Sequence, residues 1–221
     1  MRQNNFISCK RLGLLCTVLG LSGCISIPTS PTPRFYALAA SSDLSVSKSI
    51  NLPSDVIIGV GPVTIPEYLD RPQIVTMTPS KMLQFAQFDR WGESLNLGLA
   101  RIIREDLAGN LGKAKLTLYP WNPSMEVKYQ VLVEIVQFDS QIDGNMTFEV
   151  QWTIVDLQKS KVLMIKKSVF RQAINPQNYS GLVQTLSKAC ALLSAQIAQF
   201  FCNLGVIASP KGEAISQKIA S

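Results

Sequence analysis

The sequence contains no histidine, and only 16% of its residues are charged. Without imidazole there is no Ser-His or Cys-His nucleophile pair, no histidine general base and no His-ligated zinc. So little charge also sets the chain apart from disordered polyelectrolytes, in which self-repulsion and scarce apolar side chains prevent collapse. Missing too are a Walker loop, a CxxC pair, a GxSxG elbow and any internal repeat. What is present is a 221-residue chain that is 47% hydrophobic. That suits one domain with a core, with room for a tail.

The first residues set how the rest is read. Arg2, Lys10 and Arg11 precede an apolar stretch from Leu12 to Leu21, and no acid stands among them. The stretch falls short of the roughly 20 residues that a bilayer-spanning helix requires. A basic segment followed by a short apolar one is a secretory signal. Leu21-Ser22-Gly23-Cys24 then resembles a bacterial lipobox. In that pattern small residues admit the signal peptidase, and the Cys24 sulfur receives diacylglycerol. The expected organisation is a signal peptide over 1–23, a lipidated Cys24 with a tether over 24–34, a domain over 35–204 and a flexible tail over 205–221. Ile25, where an Asp would hold an enterobacterial lipoprotein at the inner membrane, points to the outer membrane, facing the periplasm. Ile25 to Pro33 is rich in Pro, Ser and Thr, which favours an extended spacer.

Signal removal alters the charge and the thiols. Arg2, Lys10 and Arg11 supply three of the six net positive charges, so the basic balance belongs partly to the signal. Nucleic-acid binding, which needs clustered Lys and Arg on the folded domain, loses its main support. Cys9 and Cys16 leave with the signal, and Cys190 and Cys202 remain. Twelve positions along one helix is about 18 Å, too far for a disulfide. Both read as small packed apolar residues.

Periodicity supplies the elements. Phe35 to Leu38 makes a short strand, residues 41–54 a polar loop, and Val56 to Val63 a buried strand ending at Pro62–Pro66. Glu67 to Pro72 reads as a turn, followed by a hairpin of Gln73–Met77 and Lys81–Phe85. From Glu93 to Leu111 a helix shows one apolar face of Leu95, Leu99, Ile102, Ile103, Leu107 and Leu111, stopped by Gly112. Leu116–Tyr119 is a short strand. Val127 to Ile135 and Met146 to Ile154 alternate with period two around an Asp143-Gly144 turn. The phase slips between Ile135 and Phe138, which predicts a bulge or strand end. Val162–Arg171 is the third strand of this meander. A last helix, about Pro176 to Leu204, carries Leu182, Leu186, Ala189, Leu193, Ile197, Phe200 and Leu204 on its stripe. The expected fold is α/β of the α+β kind, a two-layer sandwich with a mostly antiparallel sheet and two main helices packed on one face.

The candidate chemistry is sparse. Gly59-Val60-Gly61 is followed at once by Pro62 and opens no helix, so it is a packing or bulge feature rather than a dinucleotide loop. Asp139 and Asp143 flank a hairpin turn, where solvated carboxylates are commonplace. Lys166, Lys167 and Arg171 form a basic cluster that edge protection explains as well as an acidic partner does.

One long segment is more specific. Ile58-Gly59-Val60-Gly61-Pro62-Val63-Thr64-Ile65-Pro66-Glu67-Tyr68-Leu69-Asp70-Arg71-Pro72-Gln73-Ile74-Val75 resembles the signature of PqiC/YmbA-type lipoproteins, the ABC-type transport auxiliary lipoproteins. Phe35-Tyr36-Ala37-Leu38, Arg90-Trp91-Gly92-Glu93-Ser94-Leu95 opening the first helix, Tyr119-Pro120-Trp121 and the Phe138-to-Trp152 hairpin lie where the family has them. Gly92 is the main departure, where the family often carries Ala or a small polar residue. The resemblance implies a non-enzymatic periplasmic component of an MCE-type system that moves lipid or other apolar solutes between membranes, without a cofactor or metal. Its implied partners are an MCE-family periplasmic protein with its inner-membrane unit, the outer membrane through the anchor, and further copies of itself as a homo-oligomer. Gly59, Gly61, Pro62, Pro66 and Pro72 read as structural, and Arg90 and Trp91 as anchoring the first helix to the sheet. Tyr68, Leu69, Asp70 and Arg71, in a turn on a rigid scaffold, are the candidate partner contacts. The competing reading is an envelope scaffold or regulator lipoprotein, such as an activator of a peptidoglycan synthase.

Overall fold

A computed structural model describes residues 30–40, 55–112, 114–142 and 144–207. Cys24, the 41–54 loop, Asp143 and the tail beyond 207 lie outside the described residues. The elements of the domain run β1 (Arg34–Tyr36), β2 (Ile57–Thr64), a 3-10 turn (Glu67–Leu69), β3 (Gln73–Met77), β4 (Leu83–Trp91), α1 (Leu95–Leu111), β5 (Lys115–Leu118), β6 (Tyr129–Ser140), β7 (Asn145–Asp156), β8 (Lys161–Ala173) and α2 (Tyr179–Ile207).

The α+β class and the two helices are as the periodicity predicts, and the strands divide between two mixed sheets. One has the order β1-β4-β3 and the other β5-β2-β6-β7-β8. β6, β7 and β8 form the long antiparallel meander, while β2 runs parallel to both β5 and β6. The ladder between β6 and β7 shifts between Ile135 and Gln137, the bulge that the slip in hydrophobic phase predicts.

The two helices pack against each other, α1 against β2 and α2 against β7 and β8. Leu99, Ile102, Ile103 and Leu107 of α1 and Leu182, Leu186, Leu193 and Ile197 of α2 are all buried. They meet Val131, Val150, Trp152 and Ile154 from the inner face of the large sheet. One polar chain crosses this core: Trp152 Nε1 donates to Ser168 Oγ at 3.1 Å, and Ser168 Oγ donates to Gln196 Oε1 at 2.6 Å. Buried polar atoms placed this way satisfy one another and fix α2 over β7 and β8.

Four details differ from the sequence reading. The second strand of the hairpin starts at Leu83, because Lys81 takes φ +66° in the turn, and it continues to Trp91. Arg90 and Trp91 are therefore strand residues and do not open the helix. On the last stripe Phe201 is buried, while Phe200 is only half-buried. α2 also continues to Ile207, three residues past Leu204. No disulfide joins Cys190 and Cys202. Burial pushes the Cys190 thiol far up, with Asp106 nearby adding to it, so this sulfur stays protonated and unreactive.

Candidate functional site

The candidate motif begins inside β2. Gly59 is buried beneath Trp121, and a Cβ there would run into the indole ring. Trp121 in turn meets Tyr119 edge-on, with centroids 5.5 Å apart. Gly61 takes φ +105°, a conformation that costs an L side chain dearly, and its carbonyl accepts a hydrogen bond from Gln130 Nε2 at 2.9 Å. Here the β2–β6 register shifts between Val60 and Val63. The glycines thus admit an aromatic cover and a bulge. Pro62 and Pro66 are half-buried, and Pro72 is exposed.

The bulge delivers the chain to the 3-10 turn. The Pro66 carbonyl accepts from Leu69 N at 2.9 Å, and the Glu67 carbonyl from Asp70 N at 3.1 Å. Leu69 is 2% exposed, so it plugs the turn into the core and offers no surface to a partner. Tyr68 is half-buried, and its hydroxyl meets the backbone of Phe138 in the other sheet. Burial raises the Tyr68 pKa above the ordinary phenol value, while the Phe138 contact opposes that shift. Of the four candidates, only Asp70 is exposed.

Arg71 leads to residues that the sequence reading missed. Its guanidinium carbon lies 4.2 Å from the centroid of the Phe85 ring on β4. Phe85 is 48% exposed, and Met82 and Leu83 beside it are 63% and 38% exposed. The Nε atoms of Arg71 and Arg90 are buried without a hydrogen-bond partner. At the far end of the hairpin Lys81 pairs with Asp139 of β6 at 2.5 Å. The motif therefore builds an amphipathic corner: Asp70, the Arg71–Phe85 stack, and the apolar hairpin tip. Arg90 and Trp91 belong to its support. Trp91 is buried, and its backbone N–H donates to the Pro72 carbonyl at 2.7 Å, closing the turn.

A second fixed point ties in the N-terminal strand. Asp89, with its side chain 5% exposed, accepts from Arg34 at 2.8 and 2.9 Å and from the Tyr36 hydroxyl at 2.8 Å. Charged, two-pronged pairing of this kind is geometrically demanding. It holds β1, the first element after the Pro-rich segment, against β4. Among the described residues no group of His, Cys, Asp and Glu is placed to hold a metal ion, and no helix is long and apolar enough to cross a membrane.

The ABC-type transport auxiliary lipoprotein component family matches residues 36–198, which span both sheets, both helices and the corner. The chain belongs to this family. It is an auxiliary lipoprotein of ABC-type transport, as the 58–75 motif indicates. Two solved structures share its fold. One, of an uncharacterised protein, is 18% identical and covers 77% of this chain and 99% of that one, with a TM-score of 0.63. The other, XCC0632 from Xanthomonas campestris, a member of family DUF330, is 13% identical and covers 78% and 96%, with a TM-score of 0.60. No curated protein sequence matches the chain.

Proposed function

We propose that this auxiliary lipoprotein is anchored to the outer membrane through Cys24, faces the periplasm, and docks the MCE protein of an intermembrane lipid-transport system. In this role it binds and positions its partner and turns over no substrate. The observation that carries the proposal is the corner where Arg71 stacks on the exposed Phe85 beside Met82 and Leu83. Consecutive exposed apolar residues are costly to leave in water, and an Arg–aromatic pair is the kind of group that dominates binding energy at interfaces. Asp70 at the rim supplies a charge for orientation. Asp89 clamps the strand leaving the tether, so a partner held at the corner stays coupled to the anchored end.

The test is co-isolation of the MCE protein with the detergent-solubilised lipoprotein. An Arg71→Glu/Phe85→Ser variant leaves the buried Leu69 and Trp91 in place and should keep its unfolding temperature within a few degrees. Loss of two central contacts should weaken binding more than tenfold, about 1.4 kcal/mol per decade. Undiminished co-isolation by a folded variant returns the corner to a structural role.

A further inference from the structure

We propose that the docking face extends from the corner across the outer side of the three-stranded sheet, and that it takes an acidic amphipathic segment of the partner whose carboxylates reach Arg71 and Arg90. The proposal rests on the docking reading above and names the chemistry of what docks. The ladder sets Phe35, Arg90 and Gln73 side by side across β1, β4 and β3, and along β3 the pairs Val75–Phe85 and Met77–Leu83 follow. Ile74 and Thr76 alternate with residues 73, 75 and 77 and are buried, so the three rows share the opposite side of the sheet. On that side Phe35, Phe85 and Leu83 are exposed, and Val75 at the centre is the one buried residue of the seven. From the first row to the last is four residues of strand, or about 13 Å, the length of about nine residues of helix.

Two guanidinium groups stand on this face without an acid. Arg71 lies over the Phe85 ring, and Arg90 sits between Phe35 and Gln73 in its row. Neither forms an ion pair among the described residues, and the Nε of each is buried without a hydrogen-bond partner. A buried N–H left open is costly, and a guanidinium fork matches a planar carboxylate through two parallel bonds. The acids nearby are already engaged: Asp89 by Arg34 and Tyr36, and Asp139 by Lys81. Asp70 is exposed at the rim and pairs with neither arginine. A carboxylate from outside is the missing acceptor, and the exposed Phe35, Leu83 and Phe85 call for apolar side chains around it. An anionic bilayer fits less well. Long basic side chains meet lipid headgroups by reaching outward, whereas both arginines here keep Nε buried in the surface, and Asp70 would face the same negative charge.

The experiment co-isolates the MCE protein with the detergent-solubilised full chain and compares Arg90→Glu, Arg90→Lys and Phe35→Asp with the parent. Arg90→Glu should weaken retention about tenfold or more, and Arg90→Lys only about threefold, because the ammonium keeps the charge and loses the fork. Phe35 is 67% exposed, so Phe35→Asp leaves the core alone. It sets a carboxylate beside Arg90 that engages the guanidinium from within, and it too should weaken retention about tenfold. Added salt should loosen the parent complex and change the residual binding of Arg90→Glu much less. Parent binding that withstands salt, or Arg90→Glu and Phe35→Asp variants that retain the partner as the parent does, would overturn the acidic segment and leave docking at the corner standing. A parent that retains no MCE protein would remove the docking reading, and this inference with it. Phosphatidylglycerol dispersed in the same detergent should leave parent retention unchanged. Displacement of the MCE protein by phosphatidylglycerol and not by phosphatidylcholine would give the face to an anionic lipid and overturn the proposal.

Discussion

At Gly59 the β2 backbone passes directly beneath the Trp121 indole, leaving no room for a methyl group. Gly59→Ala should cost about 1–3 kcal/mol by overpacking. In a Trp121→Ala background the same change should cost much less, because the obstructing ring is gone. Urea midpoints of the four proteins make the cycle, and equal costs in both backgrounds would contradict the contact. The sequence marks Gly59 as a packing glycine, since Pro62 bars a helix, but it does not name the ring. Trp121 lies three strands and a helix further along the chain, and only the parallel β2–β5 pairing brings the Tyr119-Pro120-Trp121 segment over it. A similar limit explains Leu69. In a turn it looks like surface, and only the second sheet makes it core.

Elements show where periodicity suffices. Leu193 is fully buried on α2, and Leu193→Ala should lower stability by about 2–5 kcal/mol. An unmoved denaturation midpoint would contradict the helix-on-sheet packing. The stripes of α1 and α2 and the alternation of β6 and β7 were readable because one face of each is buried against a single neighbour. Near its end α2 departs from the stripe, and Phe201 replaces Phe200 in the core by packing against Tyr129 at 5.6 Å. The inter-element pairing also sets a pH dependence. Tyr36, Tyr68 and Tyr179 all have raised pKa values, chiefly through burial. Their protonated forms are favoured in the folded state, so this stability is complete below the unfolded value of about 10 and is lost as pH rises through the folded values. The denaturation midpoint should fall above pH 10, and less steeply in Tyr68→Phe. A midpoint that stays flat across that range would show that these hydroxyls are not desolvated.

For the whole molecule, the 58–75 motif carried the family, and residues 36–198 match it. The corner that this motif builds was only half readable. Tyr68 to Arg71 stood out as a loop, whereas Met82, Leu83 and Phe85 read as ordinary strand residues. Nothing in one strand's sequence tells that the described structure leaves that hairpin tip uncovered. The anchor is a separate matter. Cys24→Ser offers no thiol for diacylglycerol, so an alkyne fatty acid should label the parent and not the variant. Equal labelling would remove the lipoprotein reading of the first 24 residues. Docking at the corner is the central claim, and crosslinking in living cells tests it most directly. A photoreactive phenylalanine analogue replaces Phe85, and a control places it at the exposed Lys159 on the opposite hairpin. Position 85 should yield an adduct whose peptides come from an MCE-family protein, and position 159 should not. An adduct from position 85 to a peptidoglycan synthase, or none to any MCE protein, would contradict the account.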